Sequence, residues 1–117
     1  MGNKIEKFED IIAWQKARVL VTNIYVEFKP CRDYAFRDQI QRAVVSIMNN
    51  IAEGYERKGN KEFCKFLYIA KGSSAEVRSM LYLAFDLGYI SKDKFDDFYS
   101  KSLEISRMLS NFIKTLR

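Results

Sequence analysis

The chain contains no histidine. That removes the commonest general base and the commonest metal ligand at once, and with them every nucleophile–histidine pair and the Glu-x-x-His ligand pattern of di-metal bundles. Cysteine is almost as scarce. Cys31 and Cys64 stand far apart, with no metal-ligand spacing, and are expected to be reduced thiols in a cytoplasmic protein. One proline and five glycines in 117 residues leave few turns, which argues against a sandwich or barrel and for long helices. The longest apolar run, Met80 to Phe85, has six residues, far below the ~20 of a membrane span. Neither a phosphate loop nor a dinucleotide fingerprint is present. No apolar signal core opens the chain, and Glu6 stands where a myristoylation motif after Gly2 would need Ser or Thr.

What is present is a globular composition, 48% hydrophobic and 30% charged, with a formal charge of +5. The mild excess of Lys and Arg permits nucleic-acid binding without demanding it. Acids are interspersed throughout, so a basic patch has to be assembled by folding or by association of subunits.

After a loose lead-in over Met1–Lys7, spacing predicts four helices, at about 8–28, 35–58, 61–88 and 92–116. In the first, Trp14, Ala17, Val21, Ile24 and Phe28 repeat with steps of three and four, and Pro30 closes the helix. Asn60 is read as the cap of the third helix and Ser91 as the cap of the fourth. The third carries Phe63, Phe66, Ala70, Ser73, Val77, Met80, Ala84 and Leu87 at the same spacing, with a waist of small residues over Gly72–Ala75. That waist suits close helix packing or room for a bound group. The fourth repeats the pattern from Phe95 to Leu116. Four amphipathic helices with short connections pack most simply as an all-α, antiparallel up-down-up-down bundle in one domain.

The second helix is unusual. Phe36, Ile40, Ala43, Val44, Ile47, Ile51 and Gly54 form its core-facing stripe. Gln39, Arg42, Ser46, Asn50 and Glu53 form a polar line beside it, and from Gln39 to Ala52 only Arg42 is charged. Either the rest of the bundle covers this line, or another subunit or a ligand does; in both cases its polar groups need hydrogen-bond partners. Gly54 inside a helix costs about 1 kcal/mol relative to Ala, so a close approach by a neighbour should require it.

Four segments carry a resemblance to a known family: FEDIIAWQKA (Phe8–Ala17), QIQRAVVSIMNNIAEGYERK (Gln39–Lys58), KEFCKFLYIAKGSSAEV (Lys61–Val77) and LGYI (Leu87–Ile90). Together they resemble the bacterial four-helix bundle proteins encoded by intervening sequences in 23S rRNA genes. More distantly, they are similar to the accessory proteins of diversity-generating retroelements. The family usually has a proline where this chain has Met48, so either a straighter second helix is expected here or the family's kink is made by other means, and the loop FKPCRD (Phe28–Asp33) also departs from the family pattern. The resemblance implies a homo-oligomer, pentameric in the distant relatives, and association with RNA or with a nucleic-acid-processing protein such as a reverse transcriptase.

On that reading the RNA-binding candidates are Arg57, Lys58, Lys61 and Lys65, which flank the turn between the second and third helices, with Tyr55 and Tyr68 near enough to stack on bases. A protein-interaction scaffold is the alternative. An enzyme would have to use Glu53 as general base with Arg42 or Asn50 as electrostatic partner, and nothing in the sequence supplies the pocket such a base needs. No catalytic residue, metal site, cofactor or membrane association is expected.

Overall fold

The computed structural model describes Lys4–Arg117, so the lead-in is seen only from Lys4 onward and Gly2 lies outside the described residues. The elements are a 3₁₀ turn at Phe8–Asp10 followed by α1 (Ile12–Phe28), α2 (Tyr34–Glu56), α3 (Asn60–Asp86) and α4 (Lys92–Leu116). They form an all-α four-helix bundle of 43 × 27 × 19 Å. Cross-contacts show that neighbours run antiparallel. Gln39 meets Glu76 and Ser46 meets Ser73 between α2 and α3. Lys71 meets Ser110 and Ser74 meets Ser102 between α3 and α4. Lys16 meets Glu104, and Glu27 meets Lys94, between α1 and α4.

The first helix begins later than its spacing predicts. The Asp10 carboxylate accepts the backbone N–H groups of Glu6 and Lys7 at 3.0 and 3.3 Å, which closes a tight turn before Ile11. Ile11 is then extended and buried. Phe8 packs edge-on against Trp14 with ring centroids 5.2 Å apart, so the lead-in folds back onto α1.

Asp33 caps α2 by accepting from Phe36 N–H, and its other carboxylate oxygen accepts the Tyr89 hydroxyl at 2.7 Å. One residue thus fixes both the start of α2 and the loop after α3. The bond to Asp33, helped by partial desolvation and by the Asp33 charge, raises the Tyr89 phenol above its ordinary value. Because the folded value lies above the unfolded one, this contribution to stability is present below about pH 10 and is lost as pH rises through the folded value. Phenolate absorbance at 295 nm should therefore show Tyr89 ionising late, and Asp33→Asn should bring it back to the ordinary range while keeping a cap-competent side chain.

α2 runs unbroken through Met48 to Glu56, two residues short of the expected end; Arg57 is already extended. Gly59, at φ +87°, supplies the left-handed turn into α3 and occupies its cap position. Asn60 does not cap the helix by its side chain. It donates instead to the Leu116 carbonyl at the end of α4, at 3.3 Å. Gly88, at φ +77°, ends α3, and the Ser91 hydroxyl caps α4 by accepting from Lys94 N–H.

The core-facing row of α3 keeps Phe63, Ala70, Val77, Met80 and Ala84 of the predicted row and departs from it at three positions. Leu67, Ser74 and Leu81 are fully buried, whereas Phe66 and Ser73 are half-buried and Leu87 is exposed. Both rows have three-four spacing. Ser74 is accommodated in the core because its hydroxyl donates to the Ser102 carbonyl at 2.9 Å and the Ser102 hydroxyl donates to the Ser74 carbonyl at 3.0 Å. This reciprocal pair lets two polar residues sit inside an apolar seam at little cost. The waist is thus built by hydroxyls. Ser73 reaches toward α2 and Ser74 toward α4, while Gly72 and Ala75 face outward.

At Gly54, α2 and α3 approach closely. A Cβ on it would stand 2.5 Å from the Phe66 Cβ and 3.1 Å from the Phe63 ring.

Candidate nucleic-acid interface

The polar line of α2 is not covered uniformly. Its middle is. Ser46 and Asn50 are half-buried, the Ser46 hydroxyl pairs with Ser73 of α3 at 2.9 Å, and the Asn50 amide donates to the Ser46 carbonyl at 2.8 Å and to its hydroxyl at 2.9 Å. Here α3 is the partner of Ser46, and Ser46 in turn is the partner of Asn50. The ends of the line lie on the surface of the chain. Gln39 donates to Glu76 at 3.3 Å, Glu53 pairs with Arg57 at 3.0 Å, and Arg42 is exposed.

The exposed setting of Glu53 excludes no water, and its i, i+4 pair with Arg57 is worth only a few tenths of a kcal/mol. Among the described residues, no three His, Cys, Asp or Glu side chains are grouped to hold a metal ion, and Cys31 and Cys64 are free, half-buried thiols.

The basic candidates gather at one end of the bundle. Arg57 and Lys58 leave α2, and Lys61 and Lys65 stand one turn apart on α3. All four are exposed. They differ in how far their charge is already answered. The Arg57 guanidinium is shared between Glu53 and the face of the Phe66 ring, 4.9 Å away, and Lys65 pairs with Glu62 at 3.4 Å. Lys58 and Lys61 form no ion pair among the described residues.

The two tyrosines part company. Tyr55 is half-buried and packs its ring edge-on against Phe63, at 5.9 Å, as part of the core wall. Tyr68 is 50% exposed.

The candidates named from the sequence do not include the end of the chain, which belongs to this region. The Arg117 guanidinium donates to the Tyr68 hydroxyl at 3.0 Å, and the Leu116 carbonyl is held by Asn60. The up-down topology alone implies this, since it returns the end of α4 to the start of α3.

Comparison with known proteins agrees with this architecture. The family described as 23S rRNA-intervening sequence protein matches residues 9–111. The chain belongs to that family. Among solved structures, it is similar to a protein of unknown function from the S23 ribosomal protein family of Bacteroides thetaiotaomicron, with a TM-score of 0.82 and 24% identity over 87% of this chain and 98% of that one. At that identity the likeness shows the fold alone. No curated protein matches the chain.

Proposed function

We propose that this member of the 23S rRNA-intervening sequence family is a non-catalytic, cytoplasmic protein that associates with RNA or a ribonucleoprotein. Its contact surface is the basic end of the bundle around the α2–α3 turn. The observation that carries the reading is the exposed pair Lys58 and Lys61, unanswered by acids, beside Arg57, Lys65, Arg117 and the accessible ring of Tyr68. A few cations on one subunit make a modest field. Repeated by a homo-oligomer such as a pentamer, they make the kind of surface that releases several counterions on binding.

The second reading is a scaffold for a protein partner, such as a nucleic-acid-processing enzyme. It is favoured by the outward face of α3, where Ile69, Tyr82 and Leu83 are each about half exposed, at 51%, 53% and 47%. The two readings separate in one mobility-shift experiment on nuclease-treated protein with a structured 23S rRNA fragment at low salt. Retention of the fragment is the expected result. An intact protein that retains none hands the function to the scaffold reading.

A further inference from the structure

The cations of the α2–α3 turn do not end at the turn. Lys61, Lys65, Tyr68, Lys71, Arg78 and Tyr82 follow one another along α3 in steps of three, four or seven, with Ala75 filling the seven-residue gap. They form a single row of ~31 Å beside α4. Two of its members are held in an unusual way. Lys71 is half-buried, and its ammonium donates to the Ser110 hydroxyl at 2.6 Å. Arg78 is half-buried, and one guanidinium nitrogen donates to the Ser74 hydroxyl at 2.9 Å and to the Ser102 hydroxyl at 3.2 Å.

Both cations are thus fixed by neutral groups, and neither forms an ion pair among the described residues. The acids of the flanking turns are engaged elsewhere. Glu76 accepts from Gln39 on the α2 side. Glu104 pairs with Lys16 on the α1 side, and Asp97 pairs with Lys101, which also reaches Asn23 of α1. A charge on this seam is therefore held in place but left uncompensated, and an anion supplied from outside would be its natural partner.

Past Arg78 the row ends in exposed aromatic surface. Tyr82 is 53% exposed and lies against the Tyr99 ring at 5.5 Å and the Phe95 ring at 5.0 Å. Tyr68, between Lys65 and Lys71, is 50% exposed. Cations alternating with accessible rings along one line are what a single nucleic-acid strand requires, charge for its phosphates and flat faces for its bases.

We infer that the α3–α4 seam is a track for single-stranded RNA, with Lys71 and Arg78 as its phosphate-binding positions and Tyr68 and Tyr82 as its stacking positions. This inference rests on the RNA-association reading and extends it from the turn to the length of α3, room for on the order of four nucleotides or more. Duplex RNA, with its bases unavailable for stacking, should use the turn cations and gain little from Tyr82.

The test is fluorescence anisotropy of a labelled twelve-nucleotide oligouridylate with the full chain, measured over a salt series. Lys71→Gln removes one hydroxyl contact and leaves the core intact. Arg78→Lys keeps the charge where Arg78→Gln removes it, and thermal melting checks that each variant folds. The expected result is a loss of about tenfold or more for Lys71→Gln and for Arg78→Gln, each lowering the salt slope by about one unit, with Arg78→Lys retaining the slope. Tyr82→Ala should weaken binding about tenfold without changing the slope.

Wild-type affinity in the folded Lys71→Gln and Tyr82→Ala variants, with binding lost on charge reversal at Arg57, Lys58 and Lys61, would overturn the track and leave the turn interface standing. Binding of neither oligouridylate nor structured RNA by the wild type would overturn both readings. Seam-dependent binding of an oligoglutamate peptide in place of RNA would overturn the track in favour of an acidic protein segment.

Discussion

Gly54→Ala is expected to destabilise the protein although alanine is the better helix former. On propensity alone the change would stabilise by about 1 kcal/mol. Against this, the new methyl would lie 2.5 Å from the Phe66 Cβ. That atom is bonded directly to the α3 backbone and cannot swing aside, so the two helices have to separate. Overpacking of this kind costs about 1–3 kcal/mol, and because the obstacle is backbone-anchored the upper half of that range applies. A net loss of about 1–2 kcal/mol should lower the melting temperature by roughly 4–10 °C in a chain of this size.

The matched control is Gly72→Ala. Gly72 lies in α3, outside the left-handed region, and a Cβ there meets nothing within 4 Å. Only propensity acts, so this substitution should raise stability by up to about 1 kcal/mol. Opposite signs at two helical glycines are the mark of close approach at one and not the other. A stabilising Gly54→Ala would mean that the α2–α3 contact is looser than described.

Reversing the charge of Arg57, Lys58 and Lys61 together should have the largest effect on function. Each cation that neutralises a phosphate adds about one unit to the slope of log affinity against log salt. Losing three contacts and replacing them with repulsion should cost on the order of 100-fold or more in RNA affinity at low salt, and should lower the slope by about three units. Stability should change little, because all three side chains are exposed and the Glu53–Arg57 pair that is lost is a surface pair. Arg57 should contribute least, being shared with Glu53 and the Phe66 ring, and Lys58 and Lys61 most. Single reversals followed by affinity measurement give this ranking directly. Unchanged RNA binding in the folded triple variant would remove the turn from the interface.

Much of this architecture is written in the spacing of apolar residues, because a helix must bury one stripe and the stripe repeats every three or four positions. The α2 core row from Phe36 to Gly54 is legible for that reason, and Gly54 itself is conspicuous because nothing but a close neighbour explains a glycine there. The α3 row is legible at Phe63, Ala70, Val77, Met80 and Ala84, and not where Leu67, Ser74 and Leu81 are buried and Phe66, Ser73 and Leu87 are not. Ser74 is accommodated in the core by its hydrogen bonds to Ser102 of α4, which no property of α3 alone reveals. The 3₁₀ turn before α1 depends on the carboxylate of Asp10 folding back on Glu6 and Lys7, a local competition that hydropathy does not register.

At the candidate interface, the identity of the basic residues was visible and their availability was not. Whether Lys65 is paired, whether Tyr55 turns inward, and that Arg117 joins Tyr68 are consequences of assembled geometry. Along the polar line of α2, α3 supplies partners at Gln39 and Ser46, and Asn50 is answered within α2 by Ser46. Arg42 and Glu53 of the same line are exposed.

The most direct test of the central claim is the binding of the purified, nuclease-treated protein to a structured ribosomal RNA fragment across a salt series, with light scattering on the same sample. The account predicts an oligomer whose affinity falls steeply with salt, with a log–log slope of several units as phosphate contacts from more than one subunit are lost. An intact oligomer that binds no RNA even at low salt, or a monomer at every concentration with a slope near zero, would contradict it.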